Sequence, residues 1–259
     1  LTVKQVENLL GLLEFFADRK SPATLSEVVA HFGWPRSSAF NILSTLVERG
    51  YLYEPKARAG FYPTPRWLLL SKAIAEGEPI PERLIQVMRE LAAETGETVW
   101  ISAPSGLFAV FVDVVESQSG VRYAAAQGNR VPIHATASGQ ALLSQLSEND
   151  LGVLLRKVSY ERYGENTPMS LSEVLAQMEQ GRRRGWFQSA SNYSPDLGGV
   201  AVPVVDGYRI YGITVAGPLY RVRDKAADHA RCIHETIARI YGADHSRRTL
   251  KNFDLPAVE

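Results

Sequence analysis

Residues 23–61 read ATLSEVVAHFGWPRSSAFNILSTLVERGYLYEPKARAGF, which parses as helix, tight turn, second helix and β-hairpin. Thr24 with Glu27 three residues on is a capping-box pattern, which starts a helix by satisfying its free N–H groups. Leu25, Val28, Val29 and Phe32 then recur at helical spacing. Gly33 ends that helix, Trp34 fills the turn, and Pro35 brings a fixed φ suited to the start of the next. The second helix spans about 36–49. Ala39, Ile42, Leu43, Leu46 and Val47 fall on its inward side, with Ser37, Ser38, Asn41, Ser44, Thr45 and Glu48 opposite.

That outer face is short, polar and nearly uncharged. A helix exposed only for solubility carries long Lys and Glu side chains, whereas one entering a major groove needs small donors and acceptors near the base edges. Arg36, Ser37, Ser38, Asn41, Ser44 and Thr45 are therefore the expected groove-facing residues, with Thr24 at the start of the preceding helix. Two short strands follow, at 51–54 and 61–63. The loop between them holds Lys56 and Arg58, where a wing meets phosphates. The unit reads as a winged helix-turn-helix. The competing reading is an αα-hairpin inside a larger helical domain, which accounts for neither the turn chemistry nor the basic hairpin.

The 259 residues exceed the usual span of one domain, and a 45% hydrophobic, 22% charged composition supports a sizeable core. Basic and acidic side chains number 28 each, so nothing global points to nucleic acid. Residues 1–66 carry eight basic and six acidic side chains, a weak positive balance that places specificity in geometry, base contacts and paired domains. Cys232 is the sole cysteine, which excludes an internal disulfide framework or a thiolate metal cluster. No apolar run approaches a membrane span and no signal peptide is present, so the expected location is the cytoplasm, with no membrane partner.

Working outward, residues 2–17 form a strut helix, with Thr2 and Gln5 as a second capping box and Val3, Val6, Leu9, Leu10, Leu13 and Phe16 as its apolar stripe. RWLLLSKAIAEG, 66–77, reads as a short amphipathic helix, either a stiff connector or one more packing helix. The expected organisation is a DNA-binding domain over 1–65, a linker helix over 66–80, an effector-binding and oligomerisation domain over 81–243 and a tail over 244–259. In the third segment a helix is expected over 82–95, then strands at 98–103, 107–115 and 121–125. Small residues, Ala135, Thr136, Ala137, Ser138 and Gly139, lead into a helix over 140–145; they either leave N–H groups open to an anion or mark a tight helix start packed on a strand. Helices at 147–156 and 170–184 follow, then a strand from 185, a strand pair at 200–205 and 209–215 around Asp206-Gly207, and a closing helix over 224–241.

These landmarks together resemble the IclR family of bacterial transcriptional regulators. The matching blocks are PRSSAFNILSTLVERGYL, GNRVPIHATASGQALLS and GGVAVPVVDGYRIYGITVAGP, in that order over nearly the whole chain. The resemblance implies an α+β, two-domain fold: an N-terminal winged helix-turn-helix and a C-terminal GAF-like or profilin-like mixed α/β effector domain. It further implies dimers or tetramers on a pseudo-palindromic double-stranded operator, and a small organic effector, with aromatic acids among the candidates. Asn41 stands where many relatives have Arg, and its side chain suits adenine N6 and N7. Gln140 stands where relatives often place Lys, and Asp196 and Gly199 fall where relatives often present an acidic residue and Cys or Ser.

The effector pocket is expected to be lined by Ala135, Thr136, Ala137, Ser138, Asn192, Asp196, Gly199, Thr214 and Ala216, with Trp100 and Tyr123 as an apolar wall. No cofactor is implied. His229 and His234 are five apart and off one helical face, no zinc-binding, P-loop or nucleophile-elbow motif occurs, and His134 with Ser138 lacks a third group to complete a nucleophile. The chain is read as no enzyme. Two alternatives stay open: a constitutive DNA-binding protein whose second domain only oligomerises, and an enzyme with a DNA-binding appendage.

Overall fold

A computed structural model describes residues 3–55, 59–242 and 245, and the chain divides into two compact units, Leu1–Pro79 and Ile80–Glu259. The first unit holds α1 (Lys4–Arg19), α2 (Leu25–Phe32), α3 (Arg36–Glu48), β1 (Leu52–Tyr53), β2 (Tyr62–Pro63) and α4 (Arg66–Gly77). The Thr24 capping box forms as expected: its hydroxyl accepts from Glu27 N, and Glu27 accepts from Thr24 N. Gly33 closes α2 at φ +65, a left-handed value that glycine adopts without strain, and Pro35 caps α3. Trp34 stacks on Phe32 with ring centroids 4.2 Å apart. Leu12, Phe16, Val28, Ala39, Leu43, Leu46 and Leu52 make the core under the turn.

Four expectations for this unit need correction. No side chain caps α1, which starts from extended Val3; Thr2 lies outside the described residues. Its expected stripe splits: of those residues only Phe16 is buried, beside Leu12, which lay outside the stripe, while Val3, Val6 and Leu10, at i, i+3 and i+7, face solvent. Val47 is likewise exposed rather than inward. Fourth, α4 buries no apolar side among the described residues. Leu68, Leu69 and Leu70 point in successive directions about 100° apart, all three and Ile74 are exposed, and no α4 residue is fully buried. What ties α4 down is Trp67, whose indole N–H donates to Tyr51 O at 3.0 Å while its ring lies 4.4 Å from that of Tyr51.

The second unit runs α5 (Glu82–Thr95), β3 (Thr98–Ser105), β4 (Phe108–Val115), β5 (Arg130–Pro132), α6 (Ala137–Leu143), α7 (Glu148–Leu155), α8 (Leu171–Arg184), β6 (Phe187–Ala190), β7 (Leu197–Asp206), β8 (Arg209–Pro218), α9 (Leu219–Val222) and α10 (Ala226–Tyr241). Its strands form one sheet in the order β5-β4-β3-β8-β7-β6, and each recorded pairing is antiparallel. The α and β elements mix as expected, on an antiparallel sheet. Alternation along the strands sorts the two faces. Val99, Ile101, Val200, Val202, Ile213 and Val215 pack with α5 and α10 on one side, and Trp100, Phe111, Leu142 and Ala216 cluster on the other.

The strand expected at 121–125 does not form; that stretch is irregular, and the edge partner of β4 is β5, whose residues the sequence reading left outside any strand. Short α9 was also missed. Ser147 and Ser170 cap α7 and α8 through the amides of Asp150 and Glu173. Helix α6 begins at Ala137, three residues before the expected start, with Thr136 accepting from Gly139 N. A Cβ on Gly139 would stand 2.0 Å from Ile133 O, so the small residue is required by a backbone passing close by.

Candidate DNA-reading face and candidate effector cavity

Helix α3 sends Ala39, Leu43 and Leu46 into the core and leaves Arg36, Ser37, Ser38, Asn41 and Thr45 exposed, with Ser44 half-buried. The apolar side of the helix thus holds the polar side outward, as the spacing requires. Thr45 Oγ1 donates to Asn41 O at 2.7 Å, which turns its hydroxyl back on the helix. Arg36 Nη1 reaches Ser26 Oγ at 3.4 Å. Thr24 is occupied by its cap, where its hydroxyl also donates to Glu27 Oε2. The backbone N–H and hydroxyl of Thr24 and the Arg19 guanidinium hold the Glu27 carboxyl down at about 2. Lys56 and Arg58, the expected wing contacts, lie outside the described residues. Phe40, 54% exposed on the same helix, was not anticipated.

In the second unit an inner cavity lies between α6 and the sheet face that carries Trp100. Its lining brings together eight of the expected residues: Trp100, Tyr123, Thr136, Ala137, Ser138, Gly199, Thr214 and Ala216. Three others fall elsewhere. Ala135 is fully buried outside the lining. Asn192 is a structural residue whose Oδ1 accepts from Ala190 N at 2.8 Å. Asp196 lines an outer groove of about 640 Å³ together with Val121, Arg122 and Tyr220. Tyr123 and Leu197 line both spaces, so they form the partition between groove and cavity.

Sequence reading missed Phe111, Val131, Ser189, Tyr193, Leu197 and Gly198 in the lining. Phe111 was legible in principle, as an alternate position of the apolar run FAVFVDVV; the others depend on pairings between distant strands. The Trp100 and Phe111 rings stack at 4.6 Å, and Tyr123 stands 5.5 Å from Trp100. The walls close the cavity to about 20 Å³, far below the ~300–1,000 Å³ of ligand pockets. Gln140, buried behind the cavity, donates to Gln177 Oε1 at 2.8 Å and His134 O at 3.3 Å.

His134 and Ser138 are not brought together as a reacting pair, because His134 lines a separate cavity with Tyr163 and Glu161. Burial lowers the pKa of the His134 imidazole. His234 Nε2 pairs with Gly185 O at 3.1 Å. No cluster able to hold a metal ion, and no helix long and apolar enough to cross a membrane, occurs among the described residues.

A helix-turn-helix with an exposed polar reading face, carried on an α+β unit with a curled antiparallel sheet, defines the chain as a DNA-binding transcriptional regulator. The sequence matches the IclR helix-turn-helix domain over residues 5–55 and the bacterial transcriptional regulator IclR C-terminal domain over residues 73–240. The chain therefore belongs to the IclR family. The transcriptional repressor IclR of Escherichia coli K12 is 26% identical over 227 residues, 85% of this chain and 83% of its own. The crystal structure of Thermotoga maritima IclR shares the fold with a TM-score of 0.73 at 21% identity, covering 95% of this chain and 98% of that one. An IclR homologue from Microbacterium hydrocarbonoxydans, crystallised with 4-hydroxybenzoate, gives 0.66 at 17% identity, covering 91% and 99%.

Proposed function

We propose that this regulator binds a pseudo-palindromic operator as a dimer or tetramer and responds to a small organic acid, aromatic acids being the first to test. The observation that carries the DNA half is the exposed face of α3. Ser37, Ser38 and Asn41 present short polar groups there, with Arg36 at the helix start and Lys56 and Arg58 proposed for the flanking phosphates. Asn41 is the proposed base reader. Asn41→Ala should cost about 1–3 kcal/mol on operator and relax sequence preference, with random duplex bound as before. Equal loss on operator and random DNA would overturn that role.

Oligomerisation is supported by apolar surface the first unit does not cover. Val3, Val6 and Leu10 line one side of α1, and Leu68, Leu69, Leu70 and Ile74 surround α4. Large apolar side chains left exposed on a helix that also carries Ser71, Lys72 and Glu76 mark a contact surface. The effector reading rests on the convergence of eight expected residues on one cavity beside an outer groove. Entry requires Tyr123 and Leu197 to part, and a ligand that favours the opened form shifts the population of DNA-binding states.

Calorimetry of the full chain against a panel of organic acids including 4-hydroxybenzoate, paired with operator binding, tests this. Heat of binding coupled to a change in operator affinity is the expected result. Operator affinity that no metabolite alters would instead favour a constitutive DNA-binding protein, and turnover of a bound compound would favour an enzyme.

A further inference from the structure

We infer that the effector is held through an uncharged oxygen acceptor, read by two donors on neighbouring strands: the Trp100 indole N–H and the Thr214 hydroxyl. The inference rests on the inner cavity being the effector site. Trp100 on β3 and Thr214 on β8 are cross-strand partners in the sheet register, so their side chains leave the same face. Both line the inner cavity, at 4% and 1% exposure. Among the described residues neither Trp100 Nε1 nor Thr214 Oγ1 has a hydrogen-bond partner.

Buried polar groups are nearly always paired, because an unpaired one forfeits its bond to water and gains nothing. Hydroxyls close by follow that rule. Thr136 donates to Pro132 O at 3.1 Å, Ser102 to Gly212 O at 3.2 Å and Thr98 to Tyr123 O at 2.9 Å. Two orphaned groups at adjacent sheet positions, in the wall of one cavity, are what a site kept for a ligand atom requires. Indole N–H only donates, so the group that meets it must be an acceptor.

The chemistry of the remaining wall narrows the class. Among the described residues no Asp, Glu, Lys, Arg or His lines the cavity. A full negative charge would enter without a countercharge, which is costly in such surroundings. The site therefore reads hydrogen bonding rather than charge, and an acid is taken in its neutral, protonated form, through the carbonyl oxygen. The stacked rings of Trp100 and Phe111, facing the small Ala137, Gly199 and Ala216, suit a planar body. The ligand class is a flat molecule bearing a carbonyl-type oxygen, with carboxamides and aldehydes accepted beside the acid.

Calorimetry of the full chain with benzamide, benzaldehyde, benzoate and toluene tests this, since the four share a ring and differ in the acceptor. At neutral pH benzamide and benzaldehyde should bind at least as tightly as benzoate, and toluene about tenfold or more weaker, because it leaves both donors unpaired. Thr214→Val, close to isosteric, should weaken benzamide by about tenfold while leaving Tm unchanged or raised, since it removes an orphan from a buried wall. The Trp100 indole N–H resonance, assigned by its loss in Trp100→Phe, should shift with benzamide and stay with toluene. Benzamide binding no tighter than toluene, or unaffected by both substitutions, would overturn the inference while leaving the cavity reading intact. A Tm that falls in Thr214→Val would mark a structural role and overturn it too. Silence of all four probes in the parent would remove the cavity reading itself, and this inference with it.

Discussion

Replacing Arg221 by alanine removes one half of a buried ion pair, and the geometry sets the cost. Arg221 Nε and Nη2 donate to Oε1 and Oε2 of Glu97 at 2.5 and 2.7 Å, and Nη1 and Nη2 both reach Val121 O at 3.1 Å. The Glu97 carboxylate holds the guanidinium above its ordinary pKa. The Glu97 side chain is 4% exposed and that of Arg221 24%. An exposed ion pair contributes about 0–1 kcal/mol, whereas a buried charge stripped of its partner costs about 3–5 kcal/mol. Four per cent exposure puts Glu97 in the second regime, and the partly wet arginine puts the cost near its lower end.

For a domain of this size each kcal/mol lowers Tm by about 2–4 °C, so Arg221→Ala should melt roughly 6–12 °C below the parent by calorimetry. The double variant Glu97→Gln, Arg221→Met leaves no buried charge and should recover most of that loss. A single variant within about 2 °C of the parent, or a double variant no better than the single, would refute the reasoning. The pair also anchors the 121–123 stretch, so the variant should loosen the Tyr123 wall, read as increased fluorescence quenching of the tryptophan beside it.

Three further outcomes follow from other parts of the chain. Glu27 has its folded pKa depressed from 4.5 to about 2, so its contribution to the first unit is fully present above 4.5 and is lost as pH falls through about 2; in acid titrations Glu27→Gln should flatten that window, and an unchanged profile would show the cap irrelevant. Gly139→Ala puts a Cβ 2.0 Å from Ile133 O, and backbone cannot yield as a side-chain tip can, so the second unit should lose about 3 kcal/mol or more in urea titrations. Burial pushes the Cys232 thiol up to about 11 from 9.0, so at pH 8 iodoacetamide should label the folded chain roughly a hundredfold more slowly than the urea-unfolded chain.

What the sequence made legible was local chemistry. The Thr24–Glu27 box, Gly33, Pro35 and the Ser147 and Ser170 caps are written in adjacent residues and form as read. Long-range pairing was not legible. β-Branched and aromatic residues at 121–125 carry strand propensity, yet the sheet edge beside β4 is taken by β5, so propensity lost to register. Periodicity also could not say which side of α1 is inward. Val3, Val6 and Leu10 obey the same spacing as a core stripe, and only tertiary packing assigns them to the surface. At the cavity, the small residues of 135–139 suited both readings of that stretch. The Gly139 contact with Ile133 favours the packed helix start, while Ala137 and Ser138 beside it still line the cavity.

The charge distribution ties the two halves of the proposed function together. Non-specific affinity for DNA scales with the phosphates neutralised, and eight basic side chains against six acidic ones in residues 1–66 release few counterions. A single α3 face offers at most a few base contacts of about 1–3 kcal/mol each, so one copy binds weakly and discriminates little. Joining two copies makes the second contact intramolecular and multiplies discrimination without adding charge. On the proposed oligomeric reading, the uncovered leucines of α4 and valines of α1 are the surfaces that join the copies. Substituting Leu69 and Ile74 together with serine should abolish operator binding at concentrations where each reading face is intact, and should lower the molar mass seen by light scattering. Retained binding by a monomeric variant would show that one reading face suffices and that the apolar surface serves something else.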